Sequence, residues 1–254
     1  MRLEWQTRDG VPLLMATGTA AVIAFTTRQG GVSGGGFASL TLGFATPDDP
    51  VAVAENRRRA LMAAGADPAR AQTLHQVHGN AVCEPAAHVP GAYLVAGTEW
   101  RKADALVTSE PGVTLIAHGA DCLTAALVAA DGSRLATVHA GWRGLAAGVL
   151  EAAAERVGER FSAVVGPGAG PCCYEVGEDV ATQLQERFGD EVVAAGRADL
   201  AACAQLALER SGAAEVVCAR LCTICDRERF HSHRRDGRDS GRQAVIAYIE
   251  EERT

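Results

Sequence analysis

Three short segments of the sequence carry side chains that can bind a metal ion. The segment LHQVHGN contains His75 and His78, HGADCLTA contains His118 and Cys122, and TVHAGWRG contains His139. The second and third segments lie at the ends of apolar runs typical of strands, so a folded sheet can bring them together from distant parts of the chain. A site built from imidazole and thiolate groups is therefore the first hypothesis.

Imidazole nitrogen and thiolate sulfur together favour zinc, with copper or iron less favoured. Three protein ligands leave a fourth coordination position open, which is the arrangement of catalytic rather than structural zinc sites. A zinc ion in such a site lowers the pKa of its bound water to about 7. The spacing of the segments matches no short metal motif, and residue types alone do not choose between His75 and His78.

Two cysteine pairs offer a second set of sulfur atoms. Cys222 and Cys225 form a CxxC motif, which the run HSH follows closely. A metal site on these residues would be cramped, and a single CxxC lacks the second pair of a zinc finger, so a redox or plain structural role is the stronger interpretation. For the adjacent Cys172 and Cys173 we also expect a structural role.

The composition is that of an ordinary globular protein and argues against several classes. The chain has 254 residues, of which 48% are hydrophobic and 22% charged, and this is enough to bury a substantial core. A formal net charge of -7 gives no general attraction to nucleic acid or to anionic membranes. We see neither a signal peptide nor a membrane span. We expect a cytoplasmic monomer whose cysteines are thiols, ligands or core residues rather than disulfides.

The order of apolar runs predicts a mixed α/β (α+β) fold. We expect strands at AVIAFTT, ADALVTS, VTLIAHG, LTAALVAA, RLATVHA and FSAVVGPG, another at 215–219, and a last apolar element at 244–249. Because short turns separate successive strands in the middle of the chain, at least part of the sheet structure must be antiparallel. We predict a single domain over residues 1–254, an α/β/β/α-like sandwich with mixed or largely antiparallel sheets.

Helices are expected at 51–65, 145–157, 178–188 and 200–211. In the first of these, Arg57, Arg58 and Arg59 are expected on the solvent-facing side. The glycine-rich stretch GGVSGGGFAS is expected to be a loop, because five of its ten residues are glycine.

Seven ordered blocks of the sequence resemble one family nearly from end to end. TTRQGGVS with ASLTLG, AENRRR, QVHGN, ADCL, VHAGWRG, GPGAGPCCYEVG and HSHRRDGRDSGRQA are similar to blocks of the bacterial YfiH/YlmD-type proteins. These form the laccase-domain or polyphenol oxidase family, of purine nucleoside phosphorylase type. The chain departs from the family pattern at Thr41, His118-Gly119, Thr124 and Asp239-Ser240, none of which is a ligand position.

The resemblance implies a ligand set and an activity. The family's metal ligands fall on His78, Cys122 and His139, which leaves His75 outside the set. The implied activities are zinc-dependent phosphorolysis of adenosine, inosine, guanosine and methylthioadenosine to base and sugar 1-phosphate, and deamination of adenosine. The partners would then be a small nucleoside and phosphate, with no nucleic acid and no membrane. His118 is a departure close to the metal and would affect substrate preference or the bonding of a ligand.

Other residues near these blocks are candidates for the remaining steps. Asp121, beside a ligand, would shuttle a proton or orient that ligand, and Arg143 is the second catalytic candidate. Phosphorolysis needs cations for a phosphate dianion, which arginine forks suit. We assign substrate binding to Arg28, Arg234 and Arg235, and to Tyr174 as a ring that stacks on the base.

Two other functions stay open at this stage. A copper polyphenol oxidase is disfavoured because laccase chemistry needs several copper ions, whereas the chain has seven histidines and a single His-x-His. An amide hydrolase, acting in peptidoglycan precursor editing, would use Cys122 as nucleophile and His139 as base. These two residues cannot serve as nucleophile and base while both bind a metal.

Overall fold

Two six-stranded sheets form the middle of the protein, whose structure is a computed structural model describing residues 1–85 and 89–251. In chain order the strands are β1 (Arg2–Arg8), β2 (Val11–Thr17), β3 (Val22–Thr26), β4 (Ala71–Gln72), β5 (Val82–Cys83), β6 (Ala105–Thr108), β7 (Thr114–Gly119), β8 (Leu123–Ala129), β9 (Leu135–Ala140), β10 (Phe161–Val165), β11 (Val193–Ala194), β12 (Arg197–Ala198), β13 (Glu215–Cys218) and β14 (Gln243–Tyr248). The helices are α1 (Pro50–Ala64), α2 (Trp142–Ala147), α3 (Val149–Val157), α4 (Glu178–Phe188), α5 (Leu200–Arg210) and α6 (His233–Asp236).

The strand order mixes antiparallel and parallel neighbours. The first sheet runs β1-β2-β3-β14-β7-β4 and the second β13-β10-β8-β9-β6-β5, while β11 and β12 form a separate ribbon. The pairs β4–β7, β5–β6 and β10–β13 are parallel, and the other pairs are antiparallel. The predicted mixed α/β fold with largely antiparallel sheets is confirmed.

The two sheets face each other across a shared apolar core, and helices cover their outer faces. Phe25 and Val245 of the first sheet and Val128 and Val164 of the second lie in one buried cluster between the sheets. A second cluster joins α1 to the outer face of the first sheet, and a third joins α3, α4 and α5 to the outer face of the second. These are the α/β/β/α layers predicted above.

Central strands have apolar residues on both faces, which explains their uninterrupted apolar sequences. In β8, Leu123, Ala125 and Leu127 face the helices, whereas Ala126 and Val128 face the other sheet. Successive side chains of a strand point to opposite faces, so a strand buried on both sides needs apolar residues throughout.

Helix α1 places an arginine where the sequence does not suggest one. The helix begins at Pro50 with Asp49 as its cap and ends at Gly65, whose φ of 77° suits glycine. The expectation of three solvent-facing arginines is wrong for Arg57, which is only 4% exposed. Its guanidinium carbon lies 4.0 Å from the ring centroids of both Phe44 and Tyr93, and these cation–π contacts, with hydrogen bonds to backbone carbonyls, stabilise the buried charge.

The structure also corrects two other expectations. In place of the single helix expected over 145–157 there are two helices. The first begins at Trp142, and Gly148, whose φ is 86°, separates it from the second. Strands β1 and β2 were not expected. For β1 the reason is that it is a mostly exposed edge strand with a polar sequence. In the described ranges, none of the helices has the length and apolarity that crossing a membrane requires.

Candidate metal centre

His78, Cys122 and His139 converge at one end of the sandwich. Their ligand atoms all lie within 4.8 Å of one another. Cys122 comes immediately before β8 and His139 lies on β9, and the antiparallel register pairs Leu123 with Ala140. This register places the thiol beside the end of β9, so the sheet itself brings two of the three ligands together.

Gly141 provides the space that the cluster occupies. A Cβ atom on Gly141 would lie 2.8 Å from the Sγ atom of Cys122 and 3.3 Å from the ring of His78. Both distances are shorter than ordinary packing allows, so the glycine of HAGWRG is required by the ligands rather than by a turn. A side chain at this position would displace two ligands at once.

Asp104 is the residue that orients two of the ligands. Its carboxylate is 1% exposed and accepts hydrogen bonds from Nδ1 of His139 and from the backbone N–H of His78, both at 2.9 Å. It also accepts N–H groups of Val77 at 3.3 Å and Gly79 at 2.7 Å. Because Nδ1 of His139 is occupied by Asp104, Nε2 is the nitrogen left for a metal.

Two residues of the centre have left-handed backbone conformations that are uncommon outside glycine. The φ angles are 63° at His78 and 81° at Asp121, and each such residue costs about 1–3 kcal/mol. The hydrogen bond to Asp104 holds His78. Asp121 is held by Thr223 Oγ1 at 2.8 Å and by the backbone N–H of Arg234 at 2.6 Å.

The electrostatic environment favours the thiolate form of Cys122. Burial acts to raise the pKa of this thiol, but hydrogen bonds and positive charge from His139 and His78 outweigh it and lower the pKa to about 6. Burial likewise acts to lower the pKa of His139, but the carboxylate of Asp104 and the thiolate raise it to about 9. The donor set therefore fits zinc, which binds thiolate sulfur and imidazole nitrogen.

The cluster opens into a cavity of about 600 Å³. Its lining includes the three ligands, aromatic side chains, further histidines and two arginines: His78, Cys122, His139, Phe44, Trp100, His75, His118, His233, Arg57 and Arg242. The volume suits a small organic ligand. His75, the alternative ligand considered from sequence, lines the cavity but lies outside the ligand cluster.

His118 is held as a neutral side chain between the cations and the ligands. Its Nε2 lies 3.0 Å from the hydroxyl of Tyr93, and its Nδ1 lies 3.4 Å from that of Thr73. Burial and the charge of Arg57 hold the pKa of His118 well below its usual range. Both ring nitrogens therefore have partners within the protein, and the imidazole adds no charge to the cavity wall.

The structure distributes the other residues singled out from sequence over a wider region. Tyr174 is buried against the guanidinium of Arg234, whose carbon lies 4.9 Å from the ring centroid. Burial, together with the negative charges of Cys122 and Asp121, raises the pKa of its hydroxyl. Arg143 is exposed and stacks on Trp142 at 4.4 Å. Tyr174, Arg143 and Arg234 are not among the described residues that line the cavity.

Arg28 and Arg235 are held by hydrogen bonds within the protein. Arg28 donates to the carbonyls of Ala38, Arg227 and Gly36, and so holds the glycine-rich loop. All five N–H groups of Arg235 have partners within the protein: Asp236 twice, and the carbonyls of Thr223, Ile224 and Phe230. These contacts fix the position of both guanidinium groups, and the substrate contacts predicted for Arg28 and Arg235 stay predictions.

Sequence reasoning missed Asp104, Arg57 and Arg242. An aspartate at the start of the apolar run ADALVTS was a usable signal, because a charged residue entering a buried strand needs a partner. For Arg57 the sequence held no such signal, because two more arginines follow it. The four cysteines at 172, 173, 222 and 225, which sequence reasoning did not connect, form a second cluster within 4.8 Å.

The fold and site define a class of protein, a layered α/β protein with a His/Cys cluster that could hold a metal ion, and comparison with known proteins agrees with it. The family model described as multi-copper polyphenol oxidoreductase laccase matches residues 22–250. The chain belongs to this laccase-like family.

Relatives and solved structures match over nearly the whole chain. A purine nucleoside phosphorylase of Xylella fastidiosa (strain Temecula1) is 42% identical over 240 residues, covering 88% of this chain and 90% of the relative. One of Deinococcus radiodurans is 39% identical over 251 residues, covering 94% of each. The crystal structure of YlmD from Geobacillus stearothermophilus, 30% identical, matches with a TM-score of 0.85 over 97% of this chain and 98% of that one. That of the Bacillus licheniformis hypothetical protein YfiH, 25% identical, gives 0.88 over 97% and 99%.

Replacing Asp104 by asparagine is expected to weaken zinc binding about 10–100-fold, because one of the carboxylate's acceptor oxygens becomes a donor that faces N–H groups. Zinc affinity is measured by competition with a chromophoric chelator. Asp131→Asn, in the exposed turn between β8 and β9, is the matched control and should leave affinity unchanged. Equal affinity in the Asp104→Asn variant and the wild type would contradict the role given to Asp104.

Zinc affinity is expected to rise about tenfold per pH unit between pH 6 and pH 9. In this window Cys122 is a thiolate while His139 carries a proton, which zinc must displace. Below pH 6 the thiol is protonated as well, so affinity should fall more steeply. Chelator competition across this range measures the slope. Asp104→Asn should shift the rise to lower pH, because His139 loses the charge that raises its pKa; a flat profile would refute the assignment.

Proposed function

We propose that this protein is a zinc-dependent purine nucleoside enzyme. It would catalyse phosphorolysis of adenosine, inosine, guanosine and methylthioadenosine, and deamination of adenosine. The observation that carries this proposal is the His78, Cys122 and His139 cluster, which opens into a cavity that two arginines also line. The names of the relatives from Xylella fastidiosa and Deinococcus radiodurans support the phosphorolytic reaction.

The two imidazoles and the thiolate would hold the zinc ion. When bound, zinc supplies a Lewis acid that activates water or polarises a substrate oxygen. Asp104 keeps Nε2 of His139 directed into the cluster and compensates positive charge on the ring. The buried position of His139, 3% exposed, keeps bulk water away from this ligand.

We assign phosphate binding to Arg57 and Arg242. Both side chains hydrogen-bond to backbone carbonyls, and neither forms an ion pair with a carboxylate of the described residues. A largely buried cation without an acidic partner is costly in free energy. A phosphate dianion in the cavity would compensate both charges, and guanidinium groups bind phosphate well.

The nucleoside would occupy the part of the cavity with aromatic walls. Phe44 and Trp100 line it, and purine rings stack on such faces. His118 would line this part of the cavity as an uncharged side chain. For Asp121 we propose a positioning role, because both carboxylate oxygens already accept hydrogen bonds next to Cys122.

The amide hydrolase gains one specific observation. Asp104, His139 and Cys122 form a connected series in which a carboxylate orients an imidazole and the imidazole lowers the pKa of a thiol to about 6; cysteine hydrolases use this order of groups. The copper oxidase gains none beyond the family description, because within the described residues only one candidate cluster contains histidine.

Incubation of the zinc-loaded protein with adenosine, with and without phosphate, tests the proposed reactions. Adenine and ribose 1-phosphate are expected only with phosphate, and inosine is expected in both cases, without consumption of dioxygen. His78→Ala should lose both reactions by more than about 100-fold together with bound zinc, because loss of even a ligand's partner costs 10–100-fold. His75→Ala is the control that keeps the metal. If no adenine or inosine forms, the nucleoside proposal fails and the hydrolase becomes the better hypothesis.

Arg242→Met is expected to separate the two reactions. Loss of a charged hydrogen bond of about 1.5–3 kcal/mol should raise the KM for phosphate about tenfold or more and leave phosphate-independent deamination within about twofold. Initial rates at varied phosphate concentration measure this effect. Arg238→Met removes an exposed arginine nearby and should change neither reaction. An unchanged KM for phosphate would remove Arg242 from the phosphate site.

A further inference from the structure

Four cysteines outside the cavity lie together at the surface of the protein. Cys172 and Cys173 follow Gly170-Pro171, and Cys222 and Cys225 form the CxxC motif that precedes α6. All four sulfur atoms lie within 4.8 Å of one another, and Sγ of Cys225 lies 3.2 Å from that of Cys172 and 2.9 Å from that of Cys173. We infer that this cluster is a second metal site, a tetrathiolate zinc centre distinct from the His/Cys centre.

The arrangement of the sulfur atoms suits tetrahedral coordination. Zinc–sulfur bonds of about 2.3 Å place the four sulfurs of a tetrahedron about 3.8 Å apart, which lies inside the observed limit. The two closest pairs need to open by less than 1 Å. Cys172 and Cys225, which belong to these pairs, are exposed loop residues, and such residues adjust without moving the core.

Backbone N–H groups of the two loops are directed at the sulfur of Cys222. Sγ of Cys222 accepts the backbone N–H of Gly170 at 3.3 Å, and the backbone N–H groups of Ile224 and Cys225 also point at it. Hydrogen bonds donated to sulfur favour the ionised form, which is the form that binds a metal ion. Arg235 fixes the backbone of this loop, since it donates to the carbonyls of Thr223 and Ile224.

The chemistry of four sulfurs selects the metal. Soft thiolate ligands favour zinc over magnesium or calcium, which prefer oxygen. Zn²⁺ displaces the four thiol protons to solvent and forms four Zn–S bonds without any change of oxidation state. Four protein ligands complete the coordination, so this site would be structural, in contrast to the three-ligand centre in the cavity. A disulfide would use only two of the four sulfurs and leave the others as neighbouring reactive thiols.

The position of the cluster gives such a site a structural consequence. It would join the loop of Cys172 and Cys173 to the CxxC loop, and both loops lead to the wall of the His/Cys centre. Thr223, inside the CxxC loop, donates to Asp121. The inference stands without the proposed nucleoside activity, because it depends only on this cluster and its contacts.

Metal analysis of the purified, zinc-loaded full chain tests the inference. The wild type is expected to hold two zinc ions per chain, and the double variant Cys222→Ser/Cys225→Ser one. His78→Ala should also hold one, because it loses the other centre. Cys83→Ser, a partly buried cysteine outside both clusters, is the control and should hold two.

Spectra and thiol counting on the wild type avoid reliance on the folding of the double variant. Cobalt(II) in place of zinc should give the intense visible bands of a tetrathiolate complex in both the wild type and His78→Ala. Addition of a strong chelator should free five thiols of the wild type for a thiol reagent, the four of the cluster and Cys122, and four thiols of His78→Ala. A single zinc per wild-type chain that His78→Ala loses, a tightly bound iron instead of zinc in the cysteine cluster, or an intact mass lower by two hydrogens that returns to the full value on reduction would each overturn the inference.

Discussion

The buried carboxylate of Asp104 is the group on which the geometry of the metal centre depends. An ionised carboxylate offers about four acceptor positions, and this one receives four N–H groups, three from the backbone at 77–79 and one from His139. A buried charge is tolerated only when it is paired and fully hydrogen-bonded. The same bonds that satisfy Asp104 also fix the left-handed backbone of His78 and the tautomer of His139. One aspartate thus connects the start of β6, the ligand loop and β9.

Charge is separated within the cavity, and this separation determines what it can hold. The thiolate of Cys122 lies at the metal end, with buried Asp104 behind His139, whereas Arg57 and Arg242 contribute positive charge elsewhere on the wall. Tyr93 connects the two parts, because its ring packs on Arg57 and its hydroxyl meets His118. Since burial and Arg57 keep His118 neutral, this imidazole adds no charge between them. A cavity of this kind suits a substrate pair with one anionic and one uncharged partner.

The strands and layers could be predicted from sequence where strands are buried on both faces, because β7, β8, β9, β10 and β14 are then continuous apolar runs. Edge strand β1 could not, since its residues are largely exposed and polar. Residue types suggested the metal, but only the family blocks separated His78 from His75, which both border the cavity. Arg57 differs from Arg58 and Arg59 only through tertiary contacts. The sequence did not connect the CxxC motif with a second cysteine pair, because the two pairs are far apart in the chain. Cys172 lies 53 residues before Cys225.

The short connection 120–122 carries the chain from β7 in one sheet to β8 in the other, and Cys122 ends it. His139 meets Cys122 once β8 and β9 have paired, but His78 lies between β4 and β5, which belong to different sheets. An unfolded chain therefore presents the three ligands as isolated donors that bind zinc weakly. Cys222 and Cys225, by contrast, are neighbours before any folding takes place. The two centres would therefore bind metal at different stages. The cysteine pair can bind an ion during synthesis, whereas the centre in the cavity can bind one only after the protein has folded.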